Sequence, residues 1–276
     1  MRSSNPVFTR SDTFNGRTQT EYGYATYPGN GPHAGYADQG YRGTDPSTWQ
    51  TGVGVRPARM TVDDVVTKTA ITLGLLVLSA AATWYVLPER MYYPAVMGAA
   101  FLGLGLGLVN SFKRVVSPAL VLAYSVVEGV FIGGMSKVFE TMFPGVVTGA
   151  VLGTVAAFAG TLAAYKYFNI TVTERFRRYV VAAMFGFVAV SLLDFGLHFF
   201  GASFGFNGLG TMGLISSVVG LGIGVLMLIL DFDYVEQGVA AGAPESESWR
   251  AAFGLTVTIV WIYIELLRIL AIFRGE

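Results

Sequence analysis

Glu265 stands inside Thr256-Val-Thr-Ile-Val-Trp-Ile-Tyr-Ile-Glu265-Leu-Leu-Arg268-Ile-Leu-Ala-Ile-Phe273, an apolar run long enough to cross a bilayer. Lipid cannot solvate a carboxylate, and insertion scales place an acid at mid-helix at a cost of roughly 2.5–3.5 kcal/mol. Such a group must face protein or water, find a partner, or hold a proton. Three residues on, Arg268 shares its helix face and is the obvious counter-ion. Other acids lie at comparable depth. At 1.5 Å per residue, Glu128 is about 15 Å beyond Pro118 and Asp194 about 24 Å beyond Arg178, with His198 one turn further on the same face. Asp231 and Asp233, followed by Glu236, close the preceding apolar run.

Acids of this kind suit a proton-sensitive gate or a cation site. Burial disfavours the charged form of a carboxyl and a nearby arginine favours it, so charge state can switch with pH. A hard cation such as calcium would take carboxylate and carbonyl oxygens, but an adjacent arginine argues against a permanent tight cage. Each group also has a purely structural reading. Arg268 could lock two helices through Glu265, Asp194 could pair with His198 or line a hydrated vestibule, and Asp231 and Asp233 could be solvated end charges.

The elements that must position these groups are membrane spans. Of 276 residues, 53% are hydrophobic and 13% charged, where a soluble domain carries about a quarter charged residues. Seven apolar stretches run over 68–87, 93–110, 118–139, 146–166, 178–200, 211–231 and 250–273, each near the length that a hydrocarbon core of about 30 Å requires. An all-α, seven-transmembrane-helix bundle is therefore expected. Residues 1–60, rich in Gly, Ser, Thr, Asn, Pro and Tyr without apolar period, read as a disordered polar tail, a solvated tether or docking segment. Order is expected from Thr61, an N-cap followed by Asp63 and Asp64. With the tail inside, the inner flanks hold ten basic residues, from Arg56 to Arg250, and the outer flanks only Arg90, Lys137 and Arg274. That asymmetry predicts a cytoplasmic N-terminus and an outside C-terminus.

Glycines recur four apart at Gly103/Gly107, Gly129/Gly133, Gly149/Gly153 and Gly220/Gly224 and are expected at helix contacts. Zero net charge gives no reason to expect nucleic acid as a partner. No cysteine is present and the two histidines are far apart, so neither a metal centre nor a cofactor is expected. The Gly-x-Gly-Asp context of an intramembrane aspartyl protease is absent, and no enzymatic activity is expected.

Three stretches resemble the Bax inhibitor-1 family, in a bacterial branch. They are Pro118-Ala-Leu-Val-Leu-Ala-Tyr124-Ser-Val-Val-Glu128-Gly129-Val-Phe-Ile-Gly133-Gly134, Leu230-Asp231-Phe232-Asp233-Tyr234-Val-Glu236 and Trp261-Ile-Tyr263-Ile-Glu265-Leu-Leu-Arg268-Ile-Leu. The resemblance spans about residues 60–273. It implies a pH-dependent calcium or proton leak in a bacterial inner membrane, with two acids on the sixth and seventh helices as the latch and an arginine competing for one. By motif, Asp231 matches the first acid and Glu265 the second, a glutamate where the family has aspartate. Depth counting sets a condition on that match. A straight hairpin holds Asp231 and Glu265 more than a turn or two apart. Either the sixth helix continues inward in a shifted register, or Glu265 partners Arg268, Glu128 or Asp194. A second expectation, from the glycine faces and the tail, is a non-conducting regulator bound to another membrane protein such as a protease complex.

Overall fold

A computed structural model describes residues 58–275; the tail predicted over residues 1–60 otherwise lies outside that range. Seven helices follow: α1 (Val62–Val86), α2 (Tyr92–Phe112), α3 (Pro118–Met142), α4 (Val146–Tyr167), α5 (Glu174–His198), α6 (Thr211–Ala240) and α7 (Glu247–Gly275). All are long and apolar enough to cross a membrane, so the protein is an integral membrane protein. The starts follow local chemistry. Thr61 accepts from the Asp64 amide at 3.1 Å while the Asp64 carboxylate accepts from the Thr61 amide at 3.1 Å, a reciprocal cap that opens α1. Pro118 occupies the first turn of α3, where its missing N–H costs nothing. Thr173 caps α5 through the Phe176 amide.

Two boundaries differ from expectation. Order begins before Thr61, because Met60 is buried and its amide donates to the Ala243 carbonyl at 2.8 Å, while Glu245 donates to Ala58 at 2.8 Å. This strap ties the start of α1 to the turn between α6 and α7. The second difference is in α6, which runs nine residues past Asp231 to Ala240. At 30 residues it is about 45 Å long, well beyond the hydrocarbon thickness. A hydropathy window stops at its first charges, although the backbone has no reason to.

The helices alternate in direction, so the strap, the α2–α3 and α4–α5 connections and the α6–α7 turn share one face of the bundle, here the near face. The α5–α6 loop lies at the far face. At the core is α7: 61% of its spanning window is buried, against 11% for α5, which stands at the periphery. Around α7 one apolar cluster gathers Met60, Val65, Leu228, Phe232 and Leu255, and another Leu76, Ile132, Val146, Val260 and Leu267. Exposed apolar side chains such as Phe101, Leu102, Leu152, Phe185 and Leu193 face outward from α2, α4 and α5, where a bilayer is their solvent.

All four glycine pairs lie at helix contacts. A Cβ built on Gly129 would stand 2.4 Å from the Leu76 carbonyl, and one on Gly133 2.4 Å from that of Ala80, so α1 and α3 touch backbone to backbone. Gly149 and Gly153 receive Leu270 and Leu266 of α7, Gly103 and Gly107 face α3, and Gly220 and Gly224 face α7. Between membrane helices, where burial from water supplies no drive, such close packing is the main source of attraction.

Candidate functional site

The polar groups of the bundle gather on α7 and on the segments packed against it. One face of α7 carries Thr258, Trp261, Glu265 and Arg268, spaced at helical period and turned toward α6. Glu265 is only 5% exposed, and its Oε2 accepts from Arg268 at 3.1 Å. The sequence-predicted counter-ion is thus in place. Oε1 points at the backbone of α6, where a Cβ built on Gly220 would stand 2.6 Å from it. The indole N–H of Trp261 donates to the Gly220 carbonyl at 2.9 Å, fixing the ring one turn below the carboxylate. Phe187 of α5 closes this position, its ring 5.3 Å from Trp261 and 5.1 Å from Phe206.

Arg268 does more than neutralise Glu265. Its Nη2 donates to the Phe206 carbonyl at 2.7 Å and reaches the Ser216 hydroxyl at 3.3 Å, pinning the far-face loop from below. Asp194 holds the same loop from the α5 side. It is buried, and its two oxygens accept from the amides of Phe204 at 2.6 Å and Asn207 at 2.9 Å. Neither oxygen is hydrogen-bonded to His198, so the pairing with His198, one of two structural readings of Asp194, is not made. What the two charged groups share is the loop: Asp194 binds its N–H groups and Arg268 its carbonyls.

Asp231 and Glu265 do not meet, the separation that depth counting allowed for. Asp231 accepts from the Thr258 hydroxyl at 2.6 Å and faces Gly254. Glu265 lies opposite Gly220, which is eleven residues or about 16 Å from Asp231 along α6. Of the two ways out that depth counting left, the second holds: α6 runs on past Asp231, yet the acids stay apart and Glu265 pairs with Arg268. Glu128 stands apart from Glu265 as well. Its carboxylate lies against Gly103 of α2, where a built Cβ would stand 3.0 Å away, on a different side of the bundle from Glu265. Asp233 is bound by Arg177 at 2.8 Å and Gln237 at 2.7 Å, clamping the start of α5 to α6. Glu236, beside it, accepts from Tyr165 at 2.6 Å. Among the described residues no group of three or more potential ligands is placed to hold a metal ion.

Several of these partners carried no signal in the sequence. Thr258 is one of two threonines in an apolar stretch, and such hydroxyls ordinarily bond within their own helix. Thr256 does so, donating to Ala252 while meeting Thr72 of α1 at 2.8 Å. Trp261 had a signal that was not used, its place four residues before Glu265 on the same face; Phe187 and Gly220 become partners only through packing.

The sequence model of the family described as Bax inhibitor 1 like matches residues 5–275. The chain belongs to that family. The match takes in most of the N-terminal tail, which the motif resemblance left out. A Chlamydia muridarum (strain MoPn / Nigg) protein described as an uncharacterized protein is 33% identical over 96 residues, which is 34% of this chain and 40% of the other. The aligned stretch thus covers under half of either protein, and the likeness speaks to kinship alone.

Proposed function

We propose that this Bax inhibitor 1 like protein is a pH-sensitive leak pathway for a cation, calcium or protons, with Glu265 as its gating acid and Arg268 as the counter-ion. One observation carries the reading: a carboxylate 95% shielded from solvent sits at mid-helix, and the arginine that neutralises it also holds the far-face loop. When Glu265 takes up a proton, its attraction for Arg268 falls, and the guanidinium is left with the loop carbonyls alone. The state of one carboxyl is thereby coupled to the cover of the bundle. Asp231, with Thr258 as its partner, is a second and separate titratable point nearer the other face, and Glu128 a third on the α2 side. Asp194 and Asp233 hold the loop and α5 in place around them. In this reading the basic near face is cytoplasmic, the membrane is a bacterial inner membrane, and the C-terminus lies outside.

Calcium and proton fluxes into proteoliposomes, measured from about pH 5 to 8, test it. Wild-type flux should change with pH, and Glu265→Gln should flatten that dependence. A folded Glu265→Gln variant with the wild-type profile would remove Glu265 from the gate. Absence of both fluxes from folded wild-type protein would instead favour a regulator that acts by binding another membrane protein.

A further inference from the structure

Between the spanning helices α5 and α7 lies a cleft of about 190 Å³. Phe187 and Trp261 form aromatic walls, Val188, Leu192 and Ile264 apolar ones, and Glu265 supplies the charge. Arg268 does not line it. A molecule in the cleft would therefore meet the carboxylate without meeting the guanidinium.

The polar groups around it are already committed. The Trp261 N–H is given to Gly220 and the Ser191 hydroxyl to Asn207 at 2.6 Å. Glu265 differs: it lines the cleft, Arg268 engages its Oε2, and an ionised carboxylate has acceptor sites to spare. The local charges do not balance either. Glu265 and Asp194 bring two carboxylates to this end of the bundle, and Arg268 touches the same loop with one guanidinium.

We propose that this cleft is a binding site for a monovalent organic cation, an amine or quaternary ammonium bearing a small apolar body. Aromatic faces attract such cations through their quadrupole, and the attraction grows as the site is desolvated. A carboxylate adds the counter-charge, and the apolar walls suit the alkyl or aryl substituents. A hydrated metal ion would find mostly apolar surface here and little to replace its water. Amphiphilic cations partition into bilayers, which brings them to a cleft between two spanning helices. The site stands whether or not Glu265 gates a leak, and its readout is binding rather than flux.

Titration calorimetry of the purified full chain in detergent with benzyltrimethylammonium chloride is the test. One saturable site is expected. Glu265→Gln should weaken it at least about tenfold through loss of the charge-assisted contact. Val188→Trp, which fills the cleft and leaves Glu265 in place, should abolish it, and serves as the decisive variant if Glu265→Gln does not fold. No saturable heat, an unchanged affinity in folded Glu265→Gln, or undiminished binding by Val188→Trp would each overturn the proposal.

Discussion

Replacing Arg268 by methionine keeps much of the side-chain length and removes the charge, isolating what the guanidinium does. Arg268 and Glu265 are 8% and 5% exposed and 3.1 Å apart. Breaking a buried pair by removing one partner typically costs about 3–5 kcal/mol, because the other charge is left uncompensated. Losing the bond to the Phe206 carbonyl adds about 1 kcal/mol. For a domain of this size each kcal/mol lowers the midpoint by about 2–4 °C, so Arg268→Met should unfold on the order of 10 °C earlier in a detergent thermal-shift assay. Glu265→Leu alone should also destabilise, but less, because Arg268 keeps the Phe206 carbonyl and the Ser216 hydroxyl as partners. The double variant should be more stable than Arg268→Met alone, since no uncompensated charge remains. A double variant as unstable as the two single losses added together would show that the groups are not coupled, and would refute the ion-pair account.

Gly220→Ala should cost about 1–3 kcal/mol, because its Cβ would collide with Glu265 and Phe187. Gly222→Ala, two residues on with nothing within 4 Å, should be neutral or stabilising by up to about 1 kcal/mol; paired thermal-shift curves check both. Gly129→Ala and Gly133→Ala should force α1 and α3 apart and lower the yield of folded protein on size-exclusion chromatography, whereas Gly74→Ala, in open space, should not. Thr258→Val should leave Asp231 without its donor and cost about 1–3 kcal/mol, and Thr258→Ser should restore the wild-type midpoint.

The spans were legible because each is a long apolar run, and the glycine pairs because only close contact explains their spacing. Arg268 as the partner of Glu265 followed from one turn of helix. What escaped was whatever depends on registry between helices. Asp231 and Glu265 look like a pair when motifs are compared, yet an antiparallel hairpin sets each acid opposite whatever stands at its own height, here Thr258 and Gly220. Depth counting pointed to this separation without supplying the partners. The partners of Asp194 escaped for a different reason. Its partners are main-chain N–H groups of a loop ten and thirteen residues away, and a backbone amide leaves no trace in residue type. The end of α6 was drawn at Asp231 because hydropathy falls there, although Asp233 and Glu236 have partners in Arg177 and Tyr165 that let the helix continue.

That α7 is the most buried helix bears on how the protein is made. It follows α1 to α6 in the chain, so during synthesis six helices enter the membrane before the one they enclose. Until α7 arrives, Thr72 lacks Thr256, Asp231 lacks Thr258, the far-face loop lacks Arg268, and the glycines of α4 and α6 have no partner helix. The last helix made thus supplies the partners that the first six hold open for it.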